Sequence, residues 1–214
     1  MVRLSITREK GLVVTIPRGF QPDLIPSIVA EKQDWIEKSL RKVQEAGLKK
    51  PAKSLPAELD LAAIPEKWQV VYKPLAKKSA TLSMQSRGVL VVEGRVTKPL
   101  VRAVIKKWMN QRAWQVLPDW LDRVSRQFKL PYNEVSIRDQ RTRWGSCSAQ
   151  KNISLNQKLL FLPPDLVDYI LIHELCHTIE MSHSSRFWKL VGQYIPDYKE
   201  RRRTLREYER KITW

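Results

Sequence analysis

The sequence predicts an α+β fold. Two β-rich runs joined by a polar turn open the chain, further strand-like segments lie near its middle, and stretches with apolar residues at helical spacing separate and follow them. With 214 residues, 43% of them hydrophobic and 29% charged, the chain can bury a substantial core as one large domain or two small ones. No run approaches about eighteen apolar residues, and Met1-Val2-Arg3-Leu4 leads straight into strand-like sequence, so the expectation is a cytoplasmic protein with no membrane partner. Two cysteines, Cys147 and Cys176, are too few to staple a fold of this size and are expected reduced.

Residues 3–17 read as a hairpin whose turn ends at Gly11 and whose second strand stops at Pro17. Pro22-Asp23 opens a helical pattern, interrupted at Pro26, that continues to about Ala46 with Ile28, Trp35, Ile36 and Leu40 on its apolar side. Residues 49–63, rich in Lys, Pro and Ala, read as a linker or exposed connection. Strands return at Trp68-Gln69-Val70-Val71-Tyr72 and over residues 80–92, the latter broken at Ser86-Arg87-Gly88. A helix is expected over residues 98–113 and a second over 114–129, with Pro118 at a kink or in a first turn. Trp108, Trp114 and Trp120 do not share one helical face and are expected as core and surface-anchor residues. These features divide the chain into a hairpin and helix region with its linker (1–63), strands with a long helix (64–130), and a third region (131–214).

In the third region residues 133–139 and 152–156 read as strands, with the polar loop Arg141-Thr-Arg-Trp-Gly-Ser-Cys-Ser148 between them. There Gly145 is expected to supply a conformation other residues resist. Asn156 ends the second strand, which could offer its edge to an extended peptide. Pro163-Pro164-Asp165 starts a helix in which proline suits the first turn and Asp can cap free amides. Leu166, Val167, Ile170, Leu171, Ile172, Leu175 and Ile179 make that helix apolar on nearly every side, so it must be buried. Ser184 is placed to cap a following helix that carries Phe187, Trp188, Leu190 and Val191, and residues 197–214 form a basic amphipathic tail helix.

The chain's three histidines all fall between residues 173 and 183. His173 and His177 are four apart, so their imidazoles share a helix face with Glu174 beside them, and His183 arrives after a turn. Such groups on a greasy helix are costly to desolvate unless a cation compensates them. Three protein ligands with a position left for water is the composition of a catalytic zinc site, with Glu174 as general base. Cys176 is then left to packing. For oxyanion stabilisation Arg143, Tyr194 and Tyr198 are candidates by residue type.

Arg143-Trp-Gly-Ser-Cys-Ser148, Asn152-Ile-Ser-Leu-Asn156, His173-Glu-Leu-Cys-His177, Ser182-His-Ser184 and Phe187-Trp188 together closely resemble the YgjP-like metal-dependent hydrolases, which are similar to SprT-like and WLM proteases. The resemblance implies a zincin-like lobe, one zinc bound by His173, His177 and His183, and Glu174 as base. The metal spacing also matches the metzincins, but their turn glycine would fall at Glu180. The expected function is a zinc-dependent peptidase acting on peptide or protein substrates, with Arg143 and Asn156 as substrate-binding candidates. The net charge of +17 keeps open a nucleotide-hydrolysing alternative and a nucleic-acid-associated protease or binding module, although no phosphate-cradling glycine loop is present.

Overall fold

The computed structural model describes residues 2–7, 11–17, 19–48, 55–86 and 88–211, and contacts divide the chain into two units, Met1–Ser54 and Leu55–Trp214. In the first unit β1 (Arg3–Thr7) and β2 (Gly11–Thr15) form the expected antiparallel hairpin, with Arg3 opposite Thr15 and Thr7 opposite Gly11. Its turn residues 8–10 lie outside the described residues. After a short 3₁₀ turn at Pro22–Leu24 come α1 (Ile25–Glu31) and α2 (Gln33–Leu48). The helical interruption falls at Lys32 rather than Pro26, because Pro26 occupies the first turn of α1, where a missing N–H costs nothing. Ile36 is buried, but Trp35, expected on the same apolar side, is exposed.

The second unit begins with a correction. Residues 49–63 include β3 (Glu58–Leu61), where Leu59 and Leu61 are buried and Glu58 and Asp60 face outward; residues 49–54 lie outside the described residues. The period-two pattern is genuine but only four residues long, and its Lys- and Pro-rich surroundings disguise it. β4 (Glu66–Pro74), β5 (Ala80–Ser86) and β6 (Val89–Gly94) complete a four-stranded sheet in the order β3-β4-β6-β5, with β4 and β6 parallel and the other pairs antiparallel. A boundary after residue 63 therefore falls in the turn joining two paired strands, and one after residue 130 falls inside a single core that runs from Leu59 to Leu205.

That core is organised by one helix. α3 (Lys98–Phe128) is continuous where two helices were expected, with Pro118 inside it. Leu117, Trp120 and Leu121 are buried around the proline, so tertiary packing outweighs one lost backbone hydrogen bond. Trp108 and Trp120 are core residues, the latter donating Nε1–H to Asp168 Oδ1 at 2.7 Å, whereas Trp114 lies exposed. α3 contacts β5 of the first sheet and also the helix of residues 164–176, so it links the two layers.

Beyond it, β7 (Val135–Arg138), β8 (Gly145–Cys147) and β9 (Ile153–Asn156) form a three-stranded sheet in the order β7-β9-β8. β7 and β9 are parallel, and β8, drawn from the stretch expected to be a loop, pairs antiparallel with β9. β9 is thus the centre of the sheet and β8 its edge. α4 (Pro164–Cys176), α5 (Ser185–Tyr194) and α6 (Tyr198–Lys211) follow. α4 is buried on nearly every side as expected, but Ile179 lies beyond its end and is exposed. Asp165 makes no capping bond among the described residues; the helix starts from Pro163, whose carbonyl accepts from Leu166 N–H at 3.0 Å. Ser184 does cap α5, accepting from Phe187 N–H at 3.3 Å.

Candidate active site

α4 stops immediately after Cys176, and the turn that follows is closed by Thr178 N–H to Leu175 O and Glu180 N–H to Cys176 O, both at 3.0 Å. This reversal brings His183 back onto the face of α4 that carries His173 and His177. The three imidazoles converge: one nitrogen from each lies within 4.8 Å of the others, and His173 Nε2 and His183 Nε2 are 3.1 Å apart. His177 Nδ1 lies 3.0 Å from the Glu180 carbonyl oxygen, which orients its ring and leaves Nε2 for the cluster. The position where a metzincin would carry its turn glycine therefore supplies an orienting backbone contact.

Phe187 of α5 is the floor beneath the rings. It is fully buried, stacks on His177 at 4.3 Å between centroids, and presents its edge to His173 and His183, each at 4.9 Å. Burial, and then repulsion from His177, His183 and Arg202, pushes the His173 imidazole down to about 3. His177 is likewise lowered, by burial first. Both rings are therefore neutral at ordinary pH, which is the ligand form. His173 Nδ1 is buried with no hydrogen-bond partner among the described residues.

Glu174, next to His173 on α4, lines a cleft of about 530 Å³ that it shares with the three histidines. Burial pushes its carboxyl up to about 8, and Arg143 pulls in the opposite direction. The cleft wall facing it is the edge strand β8 (Gly145, Ser146 and Cys147) preceded by Arg143 and Trp144, while Tyr169, Ile170 and Leu205 close the other sides. Gly145 touches the carboxylate so closely that a Cβ there would stand 2.7 Å from Glu174 Cγ and Oε1. The glycine is needed for that approach and not for a left-handed backbone, since its φ lies outside the positive range.

Of the residues expected from sequence, His173, Glu174, His177, His183 and Arg143 meet at this cleft. Asn156 takes a different part. It is buried, and its Nδ2 donates to the carbonyls of Gln140 (2.9 Å) and Arg143 (2.7 Å) while Oδ1 accepts from Lys158 N–H (3.1 Å). It is not among the residues lining this cleft, and it clamps the loop that delivers Arg143. Tyr194 edges against Phe128 and Tyr198 stacks on Trp188, and neither lines the cleft. Tyr169 does; placed four residues before His173, it shares that helix face and was legible by spacing alone. Cys176 is buried, with its thiol pushed up to about 12 by burial, which suits a packing role. The contribution of α6 had no sequence marker: Leu205 reaches the cleft, Glu209 accepts from Trp144 Nε1 at 2.9 Å, and Arg202 lies over Trp188 at 4.8 Å.

A three-imidazole cluster beside a buried carboxylate, behind an edge strand on an α+β scaffold, is the arrangement of zincin-type metallopeptidases. The chain belongs to the YgjP-like, metallopeptidase domain family, which it matches over residues 1–208. Membership makes it a metal-dependent peptidase at the level of the family, with peptides or proteins as substrates. No curated protein matches it. Among solved structures it is similar to the metallopeptidase zymogen abylysin of Pyrococcus abyssi, with 28% identity over 42% of this chain and 91% of that one and a TM-score of 0.38. No helix among the described residues is long and apolar enough to cross a membrane.

Proposed function

We propose that the chain is a zinc-dependent peptidase in which His173, His177 and His183 hold one zinc ion per chain and Glu174 is the general base. The convergence of the three imidazoles at the mouth of the cleft carries this reading. Two nitrogens on a tetrahedral ion with Zn–N of about 2.05 Å stand about 3.3 Å apart. The 3.1 Å between His173 Nε2 and His183 Nε2 is close to that value. Nitrogen-rich donor sets of this kind favour zinc over the oxygen-seeking calcium and magnesium.

When bound, zinc supplies Lewis-acid activation of water and of the scissile carbonyl. Glu174, whose carboxyl faces the same cleft, accepts the proton released by the attacking water and returns it to the departing amine. Its burial keeps the carboxyl basic enough for this exchange, and Arg143 together with a nearby cation keeps it ionised before reaction. β8 is an edge strand along the cleft, so an extended substrate can add to the sheet there and lie across the histidines. Asn156, by clamping the Arg143 carbonyl, sets the register of that wall. Both cysteines are unpaired, in keeping with a cytoplasmic, reducing compartment.

Zinc-loaded protein incubated with unfolded protein should release new amino termini. Dialysis against a chelator should stop this and zinc should restore it. Turnover of nucleoside triphosphates but not of peptides, lost on the same treatment, would replace the peptidase by a phosphoanhydride hydrolase.

A further inference from the structure

The cleft is bordered by arginines that form no salt bridge among the described residues. Arg143 lines it directly. From α6, Arg202, Leu205 and Arg206 stand at i, i+3 and i+4 and so share one helix face, and Leu205 of that set lines the cleft. Arg202 is held in place by its guanidinium lying 4.8 Å over the Trp188 ring, and Trp188 itself sits 5.7 Å from His183. A guanidinium stacked in this way keeps its N–H edge free for a bidentate partner. Arg143, Arg202 and Arg206 are exposed, and none forms an ion pair among the described residues, whereas Arg186, Arg201 and Arg203 nearby all do.

Among the described residues the only carboxylate lining the cleft is the buried Glu174, and Glu209 close by is engaged with Trp144.

We propose that Arg143, Arg202 and Arg206 form a carboxylate-recognising rim, so that the cleft takes peptides bearing an acidic group within a few residues of the cleaved bond. The inference rests on the peptidase reading of this cleft and narrows it to a substrate class. The carboxylate can come from an Asp or Glu side chain or from the peptide's own C-terminus. Either is a planar acceptor that matches an arginine fork, which a neutral side chain does not.

The test uses zinc-loaded full-length protein and three otherwise identical peptides: C-terminally amidated with Glu beside the bond, amidated with Gln there, and Gln with a free C-terminus. Hydrolysis by wild type gives kcat/KM, and anisotropy with the zinc-loaded Glu174→Gln protein gives binding that does not depend on turnover. The acidic peptides should be favoured about five- to tenfold at low salt, the sum expected of a few exposed ion pairs, and the preference should shrink in about 0.5 M salt. Arg202→Gln with Arg206→Gln should collapse the ratio of acidic to neutral peptide, while Arg202→Lys with Arg206→Lys should largely restore it. Preference for the internal Glu assigns the rim to side chains, and preference for the free terminus assigns it to the chain end. Equal handling of all three peptides by wild type, or a preference that survives the double glutamine variant with an unchanged melting temperature, overturns the proposal. So does tighter competition by nucleoside triphosphates than by the acidic peptides. Acid-selective binding without any hydrolysis leaves the rim standing and removes the peptidase reading instead.

Discussion

Replacing Gly145 by alanine should disable the enzyme without emptying its metal site. The added Cβ would stand 2.7 Å from Glu174 Cγ and Oε1 and 2.9 Å from Cδ, against ordinary carbon contacts of about 3.5–4.0 Å. Glu174 is buried, so it cannot simply swing into water; its carboxyl must retreat by about 1 Å or β8 must lift. A displacement of that size at a proton-transfer group costs about 10²-fold in rate, and the overpacking costs about 1–3 kcal/mol of stability. The backbone itself tolerates alanine, because Gly145 does not use positive φ. The assay is kcat on a peptide substrate with zinc content and melting temperature measured on the same sample. Zinc retained and kcat reduced about 10²-fold is the expected result. A kcat within about twofold of wild type would refute the close approach of β8 to Glu174 as a catalytic constraint.

Three further outcomes follow from particular contacts. In metal-free protein burial holds the Glu174 carboxyl at about 8, so it is protonated at pH 7, and zinc uptake should expel about one proton per chain as the cation lowers that value. Calorimetry in buffers of different ionisation enthalpy measures this, and the release should fade above pH 8. Asn156→Ala strips the clamp from the Gln140 and Arg143 carbonyls and should cost about 1–3 kcal/mol in denaturant unfolding, with a lower kcat/KM as Arg143 loses its register. At Glu66, burial pushes the carboxyl up, but the hydrogen bonds from Arg112 and Trp68 and the Arg112 charge outweigh it, and the net shift is downward from 4.5. A lowered folded-state value means stability fully present above pH 4.5 and lost as pH falls through the folded value, so the advantage of wild type over Glu66→Gln should vanish in acid.

The chemistry of the site was more legible than its architecture. His173, Glu174, His177 and His183 declare themselves by residue type and local spacing on one buried helix, and the structure brings them to one cleft. β3 was missed because four residues of period two are too short to stand out beside lysines and prolines. Pro118 argued for a break that the packing of Leu117, Trp120 and Leu121 overrides. β8 was hidden because three residues, one of them glycine, carry almost no strand propensity; pairing with β9 creates it. Gly145 and Asn156 act through long-range contacts, with a carboxylate 29 residues away and with carbonyls 13 and 16 residues away, which local pattern cannot reveal. The face that α6 turns to the cleft depends likewise on tertiary packing.

The most direct test of the metal and general-base assignment is peptide turnover by Glu174→Gln protein that still carries one zinc per chain. The substitution keeps the size of the side chain and removes its ability to take a proton. Turnover reduced by about 10²-fold or more, with zinc bound and the fold intact, is the result predicted for a general base. Undiminished turnover by the zinc-loaded variant would contradict it.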